Sequence, residues 1–331
     1  MKIVIDMLGG DNGLKASIPA VKNFLKKNLS DEVELFLIGD ENILSKEFTS
    51  NNSLHIIHTT KVVPMDADPL TAIHDNETSL MIGIKTYLEN SCDAIISAGS
   101  TGALLTAATL KIKRIKGISR PALISSLPTI INGKKFVCLD LGANASNTKE
   151  ELNCFATMGS IYYKAMYKEE NPRVYLLNIG TEEEKGNTLT KETFALLKEN
   201  THINFKGNIE SRDVMNGDAD VIVTDGFTGN MFLKTIEGTA KSMSNLIKKA
   251  FKRNLLSKIG YLFSKKGINE MRETMDYKNV GGAMLVGVNG VVIKAHGSSD
   301  EIAFLSAINC AYSFVKDEIV NKIKEELASE N

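Results

Sequence analysis

Asp93-Ala94-Ile95-Ile96-Ser97-Ala98-Gly99-Ser100-Thr101-Gly102-Ala103 is the stretch that decides the fold. A short apolar run closes on small residues and glycines, and a helix-forming run starts at Ala103. A strand with one wet face would alternate apolar and polar side chains. Ala94-Ile95-Ile96 does not alternate, which is the pattern of a strand covered on both faces. The same order recurs along the chain. It opens with Ile3–Asp6, Gly9-Gly10-Asp11 and a helix over Leu14–Lys26. It returns as Phe136–Asp140, Gly142-Ala143-Asn144 and a helix over Lys149–Tyr167, and again as Val221–Thr224, Gly226-Phe227-Thr228-Gly229-Asn230 and a long helical stretch. Further strands are read at Glu34–Gly39, His55–Thr59, Ala122–Ser125, Val174–Leu177, Met284–Val286 and Val291–Lys294, with a helix over Thr71–Glu89. Strand, glycine turn and helix in repetition give an α/β fold, a mainly parallel sheet sandwiched by helices. No Pro-, Ser- or Gly-rich linker divides the chain. Residues 1–331 therefore read as a single α/β/α domain, with an amphipathic helical arm inserted over 238–276.

Composition excludes several classes. The 331 residues are 43% hydrophobic and 24% charged, with a formal net charge of −1. That is too apolar and too weakly charged for a disordered chain, and it lacks the basic excess of a nucleic-acid binder. No run approaches the ~20 apolar residues of a membrane span. The N-terminus, with an acid at position six, reads as a strand rather than a leader. Cys92, Cys138, Cys154 and Cys310 form no C-x-x-C pair and sit among apolar neighbours, which reads as reduced thiols in a cytoplasmic protein with no metal site.

In a parallel sheet the turns after the strands gather along one edge. Glycine allows close backbone approach, the following helix presents free N–H groups, and Ser or Thr adds hydroxyl donors; together these suit phosphate. One such turn is as readily a plain strand-to-helix connection. Gly99-Ser100-Thr101-Gly102 and Gly226–Asn230 each combine glycine, hydroxyl and helix start, and Gly9-Gly10-Asp11, Asn144 and Gly180-Thr181 join them as binding candidates. Neither G-x-G-x-x-G after the first strand nor G-x-x-x-x-G-K-[ST] is present, which removes weight from dehydrogenase and NTPase readings. No cofactor is expected.

His296-Gly297-Ser298-Ser299 follows an apolar strand directly. A histidine there can move a proton near neutral pH, while Ser298 or Ser299 could equally cap the last helix. Lys185, just after Gly180-Thr181, is either a phosphate cation or a solvated loop lysine. Asp225 and Asp140 end strands, where they serve a site or cap a turn. No G-x-S-x-G elbow is present, so catalysis by positioning and charge neutralisation fits better than a covalent acyl-enzyme.

Lys241 to Lys266 carries Lys241, Lys248, Lys249, Lys252, Arg253, Lys258, Lys265 and Lys266 and no acid. Its apolar residues, among them Leu246, Leu255, Ile259, Leu262 and Phe263, fall at helical spacing. Such a helix suits an anionic membrane or an acidic protein partner. A core-facing helix with a solvated lysine face is the other reading. Asn254–Ser257 and Gly260 are candidate breaks.

The chain resembles the PlsX-type phosphate acyltransferases of bacterial phospholipid synthesis, nearly end to end. The segments that carry the resemblance are Ile5-Asp6-Met7-Leu8-Gly9-Gly10-Asp11, Ile96–Ala103, Lys116-Gly117-Ile118-Ser119-Arg120-Pro121-Ala122, Leu139–Asn144, Leu177–Glu182, Val223–Asn230, and Gly287-Val288-Asn289-Gly290 running on to His296–Asp300. The resemblance implies a fold like the isocitrate and isopropylmalate dehydrogenases, shared with phosphotransacetylases, and a homodimer. It implies conversion of acyl-[acyl carrier protein] and inorganic phosphate to acyl phosphate and free carrier protein, in a cytoplasmic protein held peripherally at the membrane. The expected catalytic set is His296, Lys185, Asp225 and Asn230. The expected phosphate and substrate contacts are Gly9, Gly10, Asp11, Gly99, Ser100, Thr101, Gly102, Asn144, Gly180, Thr181, Gly226, Thr228, Gly229, Ser298 and Ser299. Lys248, Lys249, Lys252, Arg253, Leu255, Ile259, Leu262 and Phe263 are the expected membrane or carrier-protein contacts. Three departures stand out: Asn12 where the family usually has His, Ser100 where it usually has Asn, and His74-Asp75-Asn76-Glu77-Thr78-Ser79 where it tends to carry cations. The competing functions are a phosphotransacetylase using acyl-CoA, an inactive membrane-recruited scaffold, and an NAD-linked dehydrogenase of the same fold.

Overall fold

The computed structural model describes residues 1–26, 33–275 and 282–329. The last residue of the expected arm, Asp276, lies outside them. Contacts divide the chain into two compact units. The first comprises Met1–Ser125, Lys164–Glu169 and Lys278–Asn331, the second Ser126–Tyr163 and Glu170–Tyr277.

The first unit is built on strands β1 (Lys2–Asp6), β2 (Glu34–Gly39), β3 (Leu54–His58), β4 (Ala94–Ser97), β5 (Ala122–Pro128), β10 (Ala283–Val286) and β11 (Val291–Lys294), in the order β3-β2-β1-β4-β11-β10-β5. β3, β2, β1, β4 and β11 are parallel, whereas β10 runs antiparallel to both of its neighbours. Helix α4 (Ser79–Glu89) presents Gly83 to Val4, Ile38 and Ile95. The alternate residues Ile3 and Ile5 point to the other face and are also fully buried. Both faces are therefore covered, which is why these strands read as unbroken apolar runs. Helices α1 (Leu14–Leu25) and α10 (Glu301–Lys316) pack on one another, with Phe24 edge-on to Tyr312.

The helix expected over Thr71–Glu89 is in fact two. α3 (Pro69–Ala72) ends at a turn, and α4 starts afresh at Ser79. In that turn the Asp75 carboxylate accepts from the Glu77 N–H, and the Thr78 hydroxyl donates to the Asp75 carbonyl. These side chains offer the backbone bonds that compete with a helix. α2 (Glu41–Glu47) completes the helices between β1 and β4.

The second unit holds β6 (Lys135–Leu139), β7 (Arg173–Asn178), β8 (Asn204–Glu210) and β9 (Val221–Val223), all parallel, in the order β6-β9-β7-β8. α6 (Lys149–Tyr167) begins with a reciprocal cap: the Glu151 N–H donates to Thr148 Oγ1, and the Thr148 N–H donates to Glu151 Oε2. It meets the sheet through Gly159, where an added Cβ would stand 2.7 Å from Val221 Cγ1 and 2.9 Å from Leu139 Cδ2. α7 (Thr188–Glu199) packs on β7 and β8. Neither α7 nor β8 is among the elements read from the sequence above; α7 buries Thr193, Phe194 and Leu197, a helical spacing.

α8 (Gly226–Lys252) and α9 (Leu255–Met275) pack on one another, with Phe251 edge-on to Tyr261. The break falls at Arg253-Asn254, where the Asn254 side chain accepts from the Ser257 N–H at 2.8 Å. Gly260 does not interrupt α9. Met243, Leu246, Leu255, Leu256, Ile259, Leu262 and Phe263 are exposed, Phe263 by 87%, so the core-facing reading does not hold for them. Among the described residues no helix is long and apolar enough to cross a membrane.

Candidate functional site

In the first unit the chain leaves β1 toward β2 and β3, then returns to place β4 on β1's other side. That reversal opens a crevice at the carboxyl ends of β1 and β4, the position where open α/β sheets bind ligands. Asp6, 1% exposed, organises the first turn: it accepts from the N–H groups of Leu8 and Gly9 at 3.2 and 3.1 Å and from Ser97 Oγ at 2.6 Å. Ser97 Oγ also accepts from the Gly99 N–H at 3.0 Å. An added Cβ on Gly9 would stand 2.7 Å from Gly99 N, and one on Gly10 2.7 Å from Gly297 O. Gly10 also has φ of +85°, so glycine is required there twice over.

Three turns are thereby packed together: Gly9-Gly10-Asp11, Gly99-Ser100-Thr101-Gly102 and His296–Ser299. The Asp11 N–H donates to Gly297 O at 2.8 Å. Asn12 Nδ2 donates to Ser299 O at 2.9 Å and to Ser298 O at 3.4 Å, so the residue that departs from the family pattern ties the first turn to the last. Ser100 is the N-cap of α5 (Thr101–Ala107), accepting from the Ala103 N–H, and α5 continues without a break into a π-helical segment, Ala108–Ile112. Serine and asparagine cap helices about equally well, so the Ser100 departure preserves that function.

His296 is exposed. Its Nδ1 accepts from the Ser298 N–H at 3.2 Å and lies 2.9 Å from Ser298 Oγ. An accepting Nδ1 puts the neutral ring's proton on Nε2. Ser299 is 5% exposed, and its hydroxyl has no hydrogen-bond partner. Neither serine caps α10; Asp300 does, accepting from the Ala303 N–H at 3.0 Å. Lys294, at the end of β11, is 7% exposed and donates to Ala98 O at 3.3 Å and to Ala295 O. Sequence reading missed it; the only signal was a lysine closing the apolar run Val291-Val292-Ile293.

The second unit repeats the plan. Asp140 ends β6, is fully buried, and accepts from the N–H groups of Gly142, Ala143 and Asn144 at 3.1, 2.9 and 2.9 Å and from Asn144 Nδ2 at 2.8 Å. The turn after β9 packs on it: a Cβ on Gly226 would collide with Asn144 O, and one on Gly229 with Asp140 O. Asn230 lies against Gly142. The Gly226 N–H donates to Asn147 Oδ1 at 3.2 Å. Asp225 caps α8, accepting from the Thr228 N–H at 2.9 Å and from its hydroxyl at 2.7 Å. Of the expected residues, Asn144, Asp225, Gly226, Thr228, Gly229 and Asn230 meet here. Gly180, Thr181 and Lys185 form a separate loop in the same unit. There the Lys185 stem folds back on Gly180, and the Lys185 carbonyl accepts from Asn178 Nδ2 at 3.1 Å.

The family described as fatty acid synthesis protein matches residues 1–322. The chain is 44% identical over 332 residues to a phosphate acyltransferase of Macrococcus caseolyticus, covering 100% of each. It is 44% identical to the phosphate acyltransferase of Bacillus pumilus, covering 100% of this chain and 98% of that one. Among solved structures it is similar to the EutD phosphotransacetylase of Staphylococcus aureus, with a TM-score of 0.58, 16% identity and 95% and 94% of the two chains covered. A phosphotransacetylase of Streptococcus pyogenes gives a TM-score of 0.58, 17% identity and 98% and 93% coverage. At such identity the structural likeness speaks for the fold.

Proposed function

The chain belongs to the fatty acid synthesis protein family, and we propose that it transfers the acyl group of an acyl carrier protein thioester to inorganic phosphate. The observation that carries this reading is the packing of three glycine turns at the β1–β4 crevice, with a buried Ser299 hydroxyl that has no protein partner. First-turn N–H groups of α5 and the hydroxyls of Thr101 and Ser299 are donors suited to phosphate oxygens. Glycine at positions 9, 10 and 99 lets the turns pack against one another, and at Gly102 it lets α5 pack against Pro69, so backbone groups rather than side chains form the turns. Asp11 and Ser298 border the same turns.

In the proposed reaction a phosphate oxygen attacks the thioester carbonyl carbon. The C–O bond forms, the C–S bond breaks, and the leaving thiolate takes the proton that hydrogen phosphate gives up. His296, exposed and bonded to Ser298, is proposed to carry that proton, because an imidazole can do so near neutral pH. Phosphate is already an anion, so the main demand is to hold it and to stabilise the charge developing on the carbonyl oxygen. The Asp140 turn, with Asn144, Gly226, Gly229 and Asn230, is a second donor cradle of the same plan. Asp225 and Thr228 are engaged with each other in the α8 cap, which favours a structural part for both. Lys185 is a mobile-length cation on its own loop and suits charge neutralisation.

The protein is proposed to act as a homodimer and to sit peripherally on an anionic membrane. The exposed apolar residues of α8 and α9 beside Lys248, Lys249, Lys252 and Arg253 support the membrane contact. The test is acyl phosphate formation, trapped with hydroxylamine, by purified protein given a long-chain acyl carrier protein and phosphate. Phosphate-dependent acyl hydroxamate is expected. Product from acyl-CoA but not from the carrier protein would favour a phosphotransacetylase, and no product from folded protein would favour a scaffold.

A further inference from the structure

Lysine is among the residues least often buried, because removing an ammonium from water is costly unless it gains compensating partners. Lys294 is 7% exposed, and one of its acceptors, Ala98 O, is the carbonyl just ahead of the Gly99-Ser100-Thr101-Gly102 turn. The N–H of the same peptide unit, on Gly99, donates to Ser97 Oγ, which donates to Asp6. The Ala98–Gly99 peptide is planar and is thus held at both ends. β11 lies parallel to β4 with Lys294 in register with Ser97, which sets both tethers at the same level of the sheet.

We infer that Lys294 is a positioning residue for phosphate, acting by clamping the Ala98–Gly99 peptide; the inference rests on the function proposed above. Rotation of that peptide is the easy motion of a glycine-containing turn, and it would redirect the N–H groups that follow. Clamped, those donors are set before the anion arrives, which lowers the ordering cost of binding. The ammonium also engages the carbonyls of Ala98 and Ala295, whose negative ends would otherwise oppose an anion in the crevice.

The test is steady-state kinetics of the full-length protein with phosphate and the carrier-protein thioester varied in turn. Lys294→Met keeps the length of the side chain and removes its charge and donors. It is expected to raise KM for phosphate at least ~10-fold with KM for the thioester within about 2-fold, the split that marks a loss confined to one substrate. Lys294→Arg should recover most of the loss. A folded Lys294→Met protein with the wild-type KM for phosphate, or with both KM values raised alike, overturns the inference. If Lys294→Met does not fold, Ser97→Ala frees the other end of the same peptide and the same two readings decide. Wild-type turnover is measured first. Its absence counts against the proposed reaction, whereas normal wild-type turnover with an unsplit KM in the variants counts against the clamp alone.

Discussion

Ser97 Oγ stands 2.6 Å from Asp6 Oδ2, so side chains ninety-one residues apart join the end of β4 to the end of β1. Asp6 has no water to fall back on and serves two further backbone donors, Leu8 and Gly9. Removing the carboxylate leaves three buried donors without their acceptor. Each such loss costs ~1–3 kcal/mol, less what relaxation recovers. Asp6→Ala is therefore expected to destabilise the protein by about 3 kcal/mol, read as a lower midpoint in urea. Asp6→Asn, which keeps one acceptor, should lose less. Equal midpoints for all three proteins would show that the turn does not depend on this carboxylate.

Ser299 should behave in the opposite sense. Its buried hydroxyl has no partner, so it costs stability in the free protein. Ser299→Ala is expected to leave Tm unchanged or slightly raised while KM for phosphate rises roughly 5- to 10-fold, the size of one hydrogen bond. A lower Tm with an unchanged KM would make the hydroxyl structural.

For His296 the expectation concerns turnover. Its Nδ1 is held by Ser298, which fixes the ring and leaves the neutral ring's proton on Nε2. His296→Ala should lower kcat by ~10²-fold if the ring moves a proton in the transition state, and Ser298→Ala should lower it less. Hydroxamate formation at saturating substrates measures both; a near-normal kcat for His296→Ala removes the role.

Acid sensitivity is expected from the second unit. Burial pushes Asp220 upward, but hydrogen bonds from the Arg173 guanidinium and N–H, with the charges of Arg173 and Lys134, bring its carboxyl below the ordinary value. A depressed carboxyl contributes stability that is present above the unfolded-state pKa, about 3.9, and lost as pH falls through the folded value. Wild-type Tm should therefore drop below about pH 4. Arg173→Met should be less stable at pH 7 by about 2 kcal/mol, the scale of a half-buried pair left with one partner. Its Tm should also fall less between pH 5 and pH 3. Parallel pH profiles for the two proteins would contradict this account.

Much of this fold was legible because its strands are buried on both faces and end in glycine. Ala94-Ile95-Ile96-Ser97 and Gly99 announced β4 without any neighbour's help. β8, whose Asn204-Phe205-Lys206-Gly207-Asn208 is half polar, did not, since it takes its form from pairing with β7. The turn at Asp75–Thr78 was hidden because its side-chain bonds compete with a helix that the apolar spacing favours. In the site, glycines and hydroxyls could be read from local pattern. Lys294 could not, because its meaning lies in a carbonyl, Ala98 O, nearly two hundred residues away. Nor could the burial of the Asp6 and Asp140 carboxylates, which became visible only once the turns they organise were in place.

The arm carries the last prediction. Exposed Leu255, Ile259, Leu262 and Phe263 on α9 stand in a stretch with eight cations and no acid. Apolar area inserted at a headgroup surface and basic residues near anionic lipid, at ~1 kcal/mol each, act together. Charge reversal of Lys248, Lys249, Lys252 and Arg253 to Glu turns four attractions into four repulsions while leaving the apolar residues in place. Co-sedimentation with vesicles of anionic lipid should be abolished, and turnover in solution should be largely unchanged, because none of these residues belongs to the glycine turns proposed to hold phosphate. Phe263→Ser with Leu262→Ser should weaken binding at high salt as well as low, since the apolar contribution is not screened. Binding that survives charge reversal, or wild-type protein that fails to bind anionic vesicles at low salt, would leave these helices free for a protein partner instead.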